Sequence, residues 1–515
     1  MTPLGYQALI ERYALKVPPL AQTYVLAPRT GVVRHVVSAD GTERIEIPRN
    51  RYAGNQGLVA QLTFALKREN LNLTVLAALF DEPEIAPVLQ SWLNDSPTSS
   101  YARLSAYLAK WLTGATFEFT LPAGAPRVRV LDADKYVTGP TTTDSQFGVI
   151  NNLLGTPAFC PMVRLTDTLK SLLAKNLRVR VSEAVANLAP EMLARAIDYL
   201  YLSETRSTFS IEKEIPDAHR AEKFRRLLEL AGEPGHLTEA QVCNWQNSII
   251  SAYFAESCYR TRQNWLSRSG RLRNIADYIP PAPAQVGPMM DGVAKLAQLG
   301  ASNLIDPAIA ATCAAFGLVY VHPFLDGNGR LHRFLLHHVL RQAGYTPTGV
   351  VLPLSARMLR SLEIYSQLLK SYSQPRTALL DYVLDDESQT IFIKSPQASW
   401  LYASFDATAL CEFILSCIEQ CVEEDLAHEI HYLQGYDQAK ARLEAWLDLP
   451  QSRLNLLIQL VVQGHGELSL RKRKLFPELS PELISRAEEI IEDEFETYFS
   501  RAVDAGSSKI AENRS

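Results

Sequence analysis

The 515-residue sequence contains no apolar run of the roughly 18 or more residues that a membrane-spanning helix needs, so no membrane partner is expected. The first 29 residues carry Glu11, Arg12 and Lys16 and do not read as a secretory signal. Its seven cysteines (Cys160, Cys243, Cys258, Cys313, Cys411, Cys417 and Cys421) are odd in number, widely spread, and never spaced as Cys-x-x-Cys. Zinc ribbons and disulfide frameworks look different, so reduced thiols and a cytoplasmic setting are expected. A strong charge of one sign is missing too, with 51 Lys+Arg against 56 Asp+Glu and a net charge of −5. That excludes polyanion binding of the electrostatic kind, and no nucleic-acid partner is expected. A nucleotide is not excluded, because it needs only a few local charges.

What is present is an ordinary globular composition, 47% hydrophobic and 21% charged, enough for two or three domains. Residues 1–160 are mixed. Gly57–Glu69 and Leu71–Phe80 have helical spacing, whereas Thr116–Val137 alternates around Pro122–Pro126 and predicts a short hairpin. From Leu165 onward the pattern is helical. The Ile279–Pro283 proline cluster predicts a break before a helix at Met289–Leu299, since proline lacks the amide hydrogen. We therefore expect a mainly α fold with three parts: a mixed α/β region 1–160, a helical core 161–385, and a helical region 386–515 containing a possible short strand in DESQTIFI. The basic run Arg471–Lys474 lies beside many carboxylates and reads as a solvated surface.

One stretch carries chemistry: His322-Pro-Phe-Leu-Asp326-Gly327-Asn328-Gly329-Arg330-Leu-His-Arg333. An apolar helix-length segment, Pro307–Tyr320, precedes it, and a helical pattern ending at Gly344 follows. Helix, tight loop, helix is the reading. Backbone amides opening onto a helix N-terminus favour an anion. Arg330 and Arg333, three apart, share a helix face and suit a polyphosphate. Asp326 would be repelled by phosphates unless a cation such as Mg²⁺ bridged them. His322 has the reference pKa of a proton acceptor near neutrality. Glycine, asparagine and aspartate also make plain interhelical turns, so these residue types alone leave the question open.

The spacing His-Pro-Phe-x-Asp-Gly-Asn-Gly-Arg-x-x-Arg resembles the signature of the Fic family at every fixed position. The stretch Tyr259–Leu299 is similar to that family's flap hairpin and the proline-bounded helix after it, and the resemblance spans about Ala184–Asp385. It implies a Fic-type helical core with a short β-hairpin flap, and transfer of AMP from ATP to a Ser, Thr or Tyr hydroxyl of a target protein. His322 would be the general base and Asp326 the Mg²⁺ ligand. Gly327, Asn328 and Gly329 would form the anion hole, with Arg330 and Arg333 clamping the outer phosphates. Gly329, where kinase-like relatives carry lysine, favours nucleotidyl transfer.

Upstream, Thr208, the three residues Phe209–Ile211 and Glu212 resemble the family's inhibitory helix, although Lys213 stands where a small residue is usual. The resemblance implies that Glu212 pairs with Arg333 and occupies the place of the γ-phosphate, with Glu214 a weaker competitor. A buried carboxylate requires such a partner. Two alternatives stay open: removal of AMP with Glu212 positioning water, and nucleotide binding without turnover. His332, His337 and His338 read as structural, Tyr365 as a guess at the base pocket, and a homo-oligomer as possible.

Overall fold

A computed structural model of the chain describes residues 1–38, 41–52, 55–186, 188–269, 274–385, 390–394 and 397–499. The fold is mainly helical with small sheets, as expected. No helix among the described residues is long and apolar enough to cross a membrane. The chain divides into two compact units that interleave along the sequence. The first comprises Met1–Lys175, Thr208–Tyr345 and Met358–Leu415. The second comprises Asn176–Ser207, Thr346–Arg357 and the described residues from Ser416 on.

Unit one begins with a four-stranded sheet, β1 (Thr2–Leu4), β2 (Gln22–Ala27), β3 (Arg34–Val37) and β4 (Glu43–Pro48), in the order β1-β2-β4-β3. Strands β2 and β4 run parallel; β1 and β3 are antiparallel edges. Helices Leu58–Arg68, Leu73–Phe80, Ile85–Asp95 and Ser100–Thr113 then bury Leu62, Leu76, Leu89 and Leu108 in one cluster. Both helical patterns read from Gly57–Phe80 are present, trimmed by one or two residues.

The hairpin predicted over Thr116–Val137 does not form. Only Val128–Arg129 is extended there, and it pairs in parallel with Val149–Ile150. The reason lies outside the segment: Gln90 takes both backbone groups of Glu118, accepting its N–H and donating to its carbonyl at 2.9 Å each. Gln146 Nε2 likewise donates to Phe117 O at 2.8 Å. Side chains satisfy what a partner strand would have paired, while Phe119 stacks on Phe147. In DESQTIFI, Thr390–Ile393 is a strand pairing with Tyr382–Asp385; its first four residues lie outside the described ones.

Seven helices frame the central motif: α1 (Pro190–Ile211), α2 (Ala218–Glu229), α3 (Glu239–Ile249), α4 (Pro283–Ala301), α5 (Pro307–Val321), α6 (Asn328–Gln342) and α7 (Leu362–Thr377). Helix α1 belongs to unit two up to Ser207 and to unit one from Thr208. Helix α4 starts six residues earlier than predicted, because Pro283 occupies the first helical turn, where a missing N–H costs nothing. Asp306 caps α5 by accepting from the Ala308 and Ile309 amides, with Pro307 opening the helix. Helix α5 is apolar all round and almost wholly buried. Its small residues allow close approach: Gly292 on α4 and Gly317 on α5 both lie against Phe159.

In unit two, Leu443, Leu457, Ile458, Val461 and Ile491 share a core, and Val185, Leu200, Val350 and Leu426 form a smaller one. The buried Glu204 carboxylate accepts from Ser355 N at 2.8 Å, at the start of helix Leu354–Arg360. Of the basic run, Arg473 pairs with Glu488 at 2.8 Å, while Arg471 and Lys474 are exposed.

A methyl group added at Gly317 would sit 2.5 Å from Phe159 Cζ. Gly317→Val is therefore expected to lower the unfolding free energy by about 2 kcal/mol through overpacking, read from urea titrations. An unchanged midpoint and slope would contradict the tight α4–Phe159–α5 contact.

Candidate active site

The site is built where α5 ends and α6 begins. His322 closes α5 in the left-handed conformation, with φ 53° and ψ 60°. Gly327 turns the chain into α6 with φ 89°, a value natural to glycine. Between them the loop is held by side chains. Asn328 accepts from Phe324 N at 3.1 Å and donates to Phe324 O at 2.8 Å, so its side-chain amide is spent on holding the loop. Asp326 Oδ1 accepts from Gly327 N at 2.6 Å and from Arg330 Nη2 at 3.2 Å. The first-turn amides of α6 have no intrahelical acceptor and form the positive end of its dipole.

His322 Nδ1 lies 3.1 Å from Val319 O. A carbonyl only accepts, so Nδ1 carries the proton and Nε2 keeps the lone pair. Burial holds the imidazole down at about 4, with the Val319 contact opposing and nearby Arg260 reinforcing the shift. The ring is neutral at pH 7 and ready to take a proton.

The two arginines of the motif are both buried, each 1% exposed at the side chain. Arg333 donates from Nε to Thr208 Oγ1 at 2.6 Å and from Nη2 to Thr208 O at 2.9 Å and Glu212 Oε1 at 2.7 Å. Burial alone would pull its pKa down; the Glu212 carboxylate and the Tyr365 hydroxyl outweigh this and hold it up. Arg330 donates from Nη1 to Ile249 O at 3.2 Å and to Glu214 Oε2 at 3.3 Å, and lies over the Phe209 ring. Glu214 is also bound by Arg220 on α2 at 2.6 Å. Each arginine thus has its own glutamate, and Glu214 does not compete for Arg333. Glu212 Oε1 also fills the space beside Gly329, where an added Cβ would sit 2.2 Å away.

Lys213 takes the left-handed position after α1, with φ 59°. Lys213 N donates to Ser210 O and Glu214 N to Phe209 O, each at 3.0 Å. This is the paired reversal that glycine or asparagine usually closes, so the helix ends in the ordinary way despite the lysine.

Other expectations resolve as follows. Tyr365 is buried against Phe316 and His332 and backs Arg333, which makes it a support for the clamp rather than a base-pocket wall. His332 is buried in the same aromatic layer, and His338 Nδ1 accepts from Gly232 N at 3.2 Å while packing on Trp245. Both are structural. Residues that sequence reasoning missed include Arg260, whose Nε donates to His322 O at 2.8 Å, and Gln246, whose Nε2 donates to Asp326 O at 3.2 Å. Asn264 donates to Phe324 O at 2.9 Å. Their partners are backbone carbonyls, so no complementary side chain marks them.

For Mg²⁺, the residues present fit in one respect: the Asp326 carboxylate is 43% exposed at the loop mouth. No group of three or more metal-ligating side chains occurs among the described residues. One carboxylate plus substrate phosphates is how Mg²⁺ is commonly held, and that does not require a protein cage. Two cavities of about 490 and 450 Å³ lie elsewhere in unit one, the first walled by Trp111, Met289 and Trp400, the second by Glu69, Arg164 and Tyr372. Neither includes a residue of the 322–333 motif, and chemistry rather than cavity size marks the site.

The model of the Fic/DOC family matches residues 236–340, which contain the whole loop and α6. The chain carries a Fic domain. The protein adenylyltransferase Fic of Drosophila grimshawi is 35% identical over 83 residues, covering 16% of this chain and 17% of that protein. The counterpart from Nematostella vectensis is 34% identical over 83 residues, covering 15% and 19%. The chain thus spans less than a fifth of the length of these curated relatives. Among solved structures, a Fic family protein from Desulfovibrio desulfuricans has a TM-score of 0.35 at 16% identity, covering 63% of this chain and 84% of that one. A Fic-domain signalling protein from Bacteroides thetaiotaomicron also has a TM-score of 0.35, at 17% identity, covering 52% and 97%.

Two expectations follow from the geometry of the Fic domain. Lys213→Gly should raise the unfolding free energy by about 1 kcal/mol by relieving the left-handed lysine, measured by denaturant titration; a loss of stability would contradict the reversal. Burial holds His322 and His338 down at about 4 and His332 at about 3, all below the ordinary 6.5. Unfolding raises these values, so their stabilising effect is complete above 6.5 and is lost as pH falls from 6.5 towards 4. Urea midpoints should therefore drop across that window, and His338→Gln should reduce the drop; a flat profile would contradict neutral, buried imidazoles.

Proposed function

We propose that the protein is an adenylyltransferase that moves AMP from ATP to a Ser, Thr or Tyr hydroxyl of a target protein, and that Glu212 restrains it. The observation that carries this reading is the His322 imidazole, its Nδ1 proton spent on Val319 O, beside the α6 amides and a pinned Arg333. Nε2 takes the proton of the incoming hydroxyl. The hydroxyl oxygen bonds to the α-phosphorus, the bond from that phosphorus to the oxygen bridging to the β-phosphate breaks, and pyrophosphate leaves. The amides of Asn328 and Gly329 receive phosphate oxygens, the Gly327 amide being held by the Asp326 carboxylate, and the helix dipole favours the charge that develops there. Asp326 would hold Mg²⁺, which supplies neutralisation of the phosphate charge when bound.

Arg333 is the residue on which restraint turns. A γ-phosphate and the Glu212 carboxylate seek the same guanidinium, so with Glu212 in place ATP enters with its phosphates misaligned. The curated relatives are protein adenylyltransferases, which supports an adenylyl donor, and the Fic-domain match supports the role of the motif. Arg330, engaged by Ile249 O, Asp326 and Glu214, stands one turn before Arg333 on α6.

Glu212→Gly should increase incorporation of labelled AMP into protein by about tenfold or more. His322→Ala in that background should reduce it about 100-fold or more. Mass spectrometry of the Glu212→Gly protein after exposure to ATP and Mg²⁺ identifies the transferred group; no added AMP on any protein present, itself included, would sink the reading.

A further inference from the structure

Helices end with carbonyls that lack intrahelical donors, and a buried end must find them elsewhere. At the end of α5 the donors come largely from one residue. Arg260 lies 23 residues before the start of α4, just ahead of the hairpin strands Leu266–Ser269 and Asn274–Tyr278. Its side chain is 3% exposed. Nε donates to His322 O at 2.8 Å, while Nη2 donates to Val321 O at 3.3 Å and Pro281 O at 2.5 Å. Its own N–H donates to Pro323 O at 2.8 Å. These partners are all backbone carbonyls. A buried guanidinium spent on carbonyls is costly unless the geometry needs it, since burial of the charge is repaid only by good hydrogen bonds.

The geometry does need it. His322 sits at φ 53°, where a non-glycine residue is strained by about 1–2 kcal/mol. A peptide plane on either side of that residue is gripped by Arg260: the one bearing Val321 O before it and the one bearing His322 O after it. Fixing both planes fixes where Cβ, and therefore the imidazole, points.

We propose that Arg260 is a positioning residue for the proposed base: it holds the His322 backbone in its left-handed turn and so aims Nε2 at the incoming hydroxyl. The proposal rests on the transferase reading above for its kinetic consequence, but not for its structural one. Arg260 remains a cation at neutral pH, burial lowering it only to about 10. It thereby adds a second effect. The charged groups acting on the His322 ring are Arg260, Glu212 and Asp326, and Arg260 is the cation among them. Its charge opposes protonation of the ring and keeps it a base.

The test uses the full chain carrying Glu212→Gly, with Arg260→Lys and Arg260→Gln added separately. Steady-state AMP incorporation should fall about 100-fold in kcat in both variants, with KM for ATP changing less than twofold, as for a misaimed base. The acid limb of the pH profile should move up in Arg260→Gln and stay in Arg260→Lys, which keeps the charge but not the fork. NMR titration of the His322 ring should give the same split without relying on turnover. A kcat within threefold of the parent in either variant overturns the proposal, as does an unmoved ring titration in Arg260→Gln. A fall in activity matched by loss of folded protein or of ATP binding also overturns it, in favour of a purely structural arginine. If Arg260→Gln fails to fold, the kcat and KM of Arg260→Lys decide. If the Glu212→Gly parent transfers nothing, the transferase reading fails, while the ring titration still decides the role of Arg260.

Discussion

Six consecutive carbonyls, from Val319 to Phe324, each receive a donor from outside the α5 ladder: His322 Nδ1, the Tyr278 hydroxyl, Arg260 Nη2, Arg260 Nε, the Arg260 amide, and the side chains of Asn264 and Asn328. The site depends on this arrangement. An apolar helix that is buried to its last residue cannot leave carbonyls unpaired, because desolvated polar groups without partners are expensive. Satisfying them brings the hairpin segment, the loop and the start of α6 together. The left-handed turn at His322 is affordable only inside that network.

The electrostatics follow from the same enclosure. Two buried guanidinium groups one turn apart on α6 need anions or carbonyls, and each has both. Arg333 would not be orphaned by loss of Glu212, because Thr208 Oγ1, Thr208 O and Tyr365 still engage it. That distinguishes it from a buried ion pair in which removing one partner strands the other. Glu212 itself is 36% exposed at the side chain, so it can leave towards water at modest cost.

Much of this was legible in the residues because the signals were local. The apolar run from Pro307 announced α5, Gly327 the turn into α6, and Gly344 its end. Thr208 lies on the last turn of α1 and Glu212 just beyond its end, and it was the resemblance to the family's inhibitory helix that implied the pairing of Glu212 with Arg333. What could not be read was long-range. The Gln90 side chain that takes the backbone of Glu118 is 28 residues away, so alternation over Thr116–Val137 looked like a hairpin. Arg260 was invisible because carbonyls are common to every residue and leave no pattern. The interleaving of the two units was equally hidden, since hydrophobic periodicity says which face is buried but not against what.

The end of α1 explains why two glutamates so close in sequence serve two arginines. Arg330 and Arg333 are three residues apart, about 4.5 Å along the axis of α6 at the helical rise. Glu212 and Glu214 are two apart, and on a continuing helix they would point to different faces. The reversal at Lys213 breaks that relation: Glu214 N turns back to Phe209 O, and its side chain leaves in a new direction towards Arg330 and Arg220. A left-handed residue between the two carboxylates is thus what lets both face α6. Its strain is one more reason for Lys213 to matter, since any residue that straightened the chain there would separate Glu214 from Arg330 while leaving Glu212, still anchored one turn beyond Thr208, on Arg333.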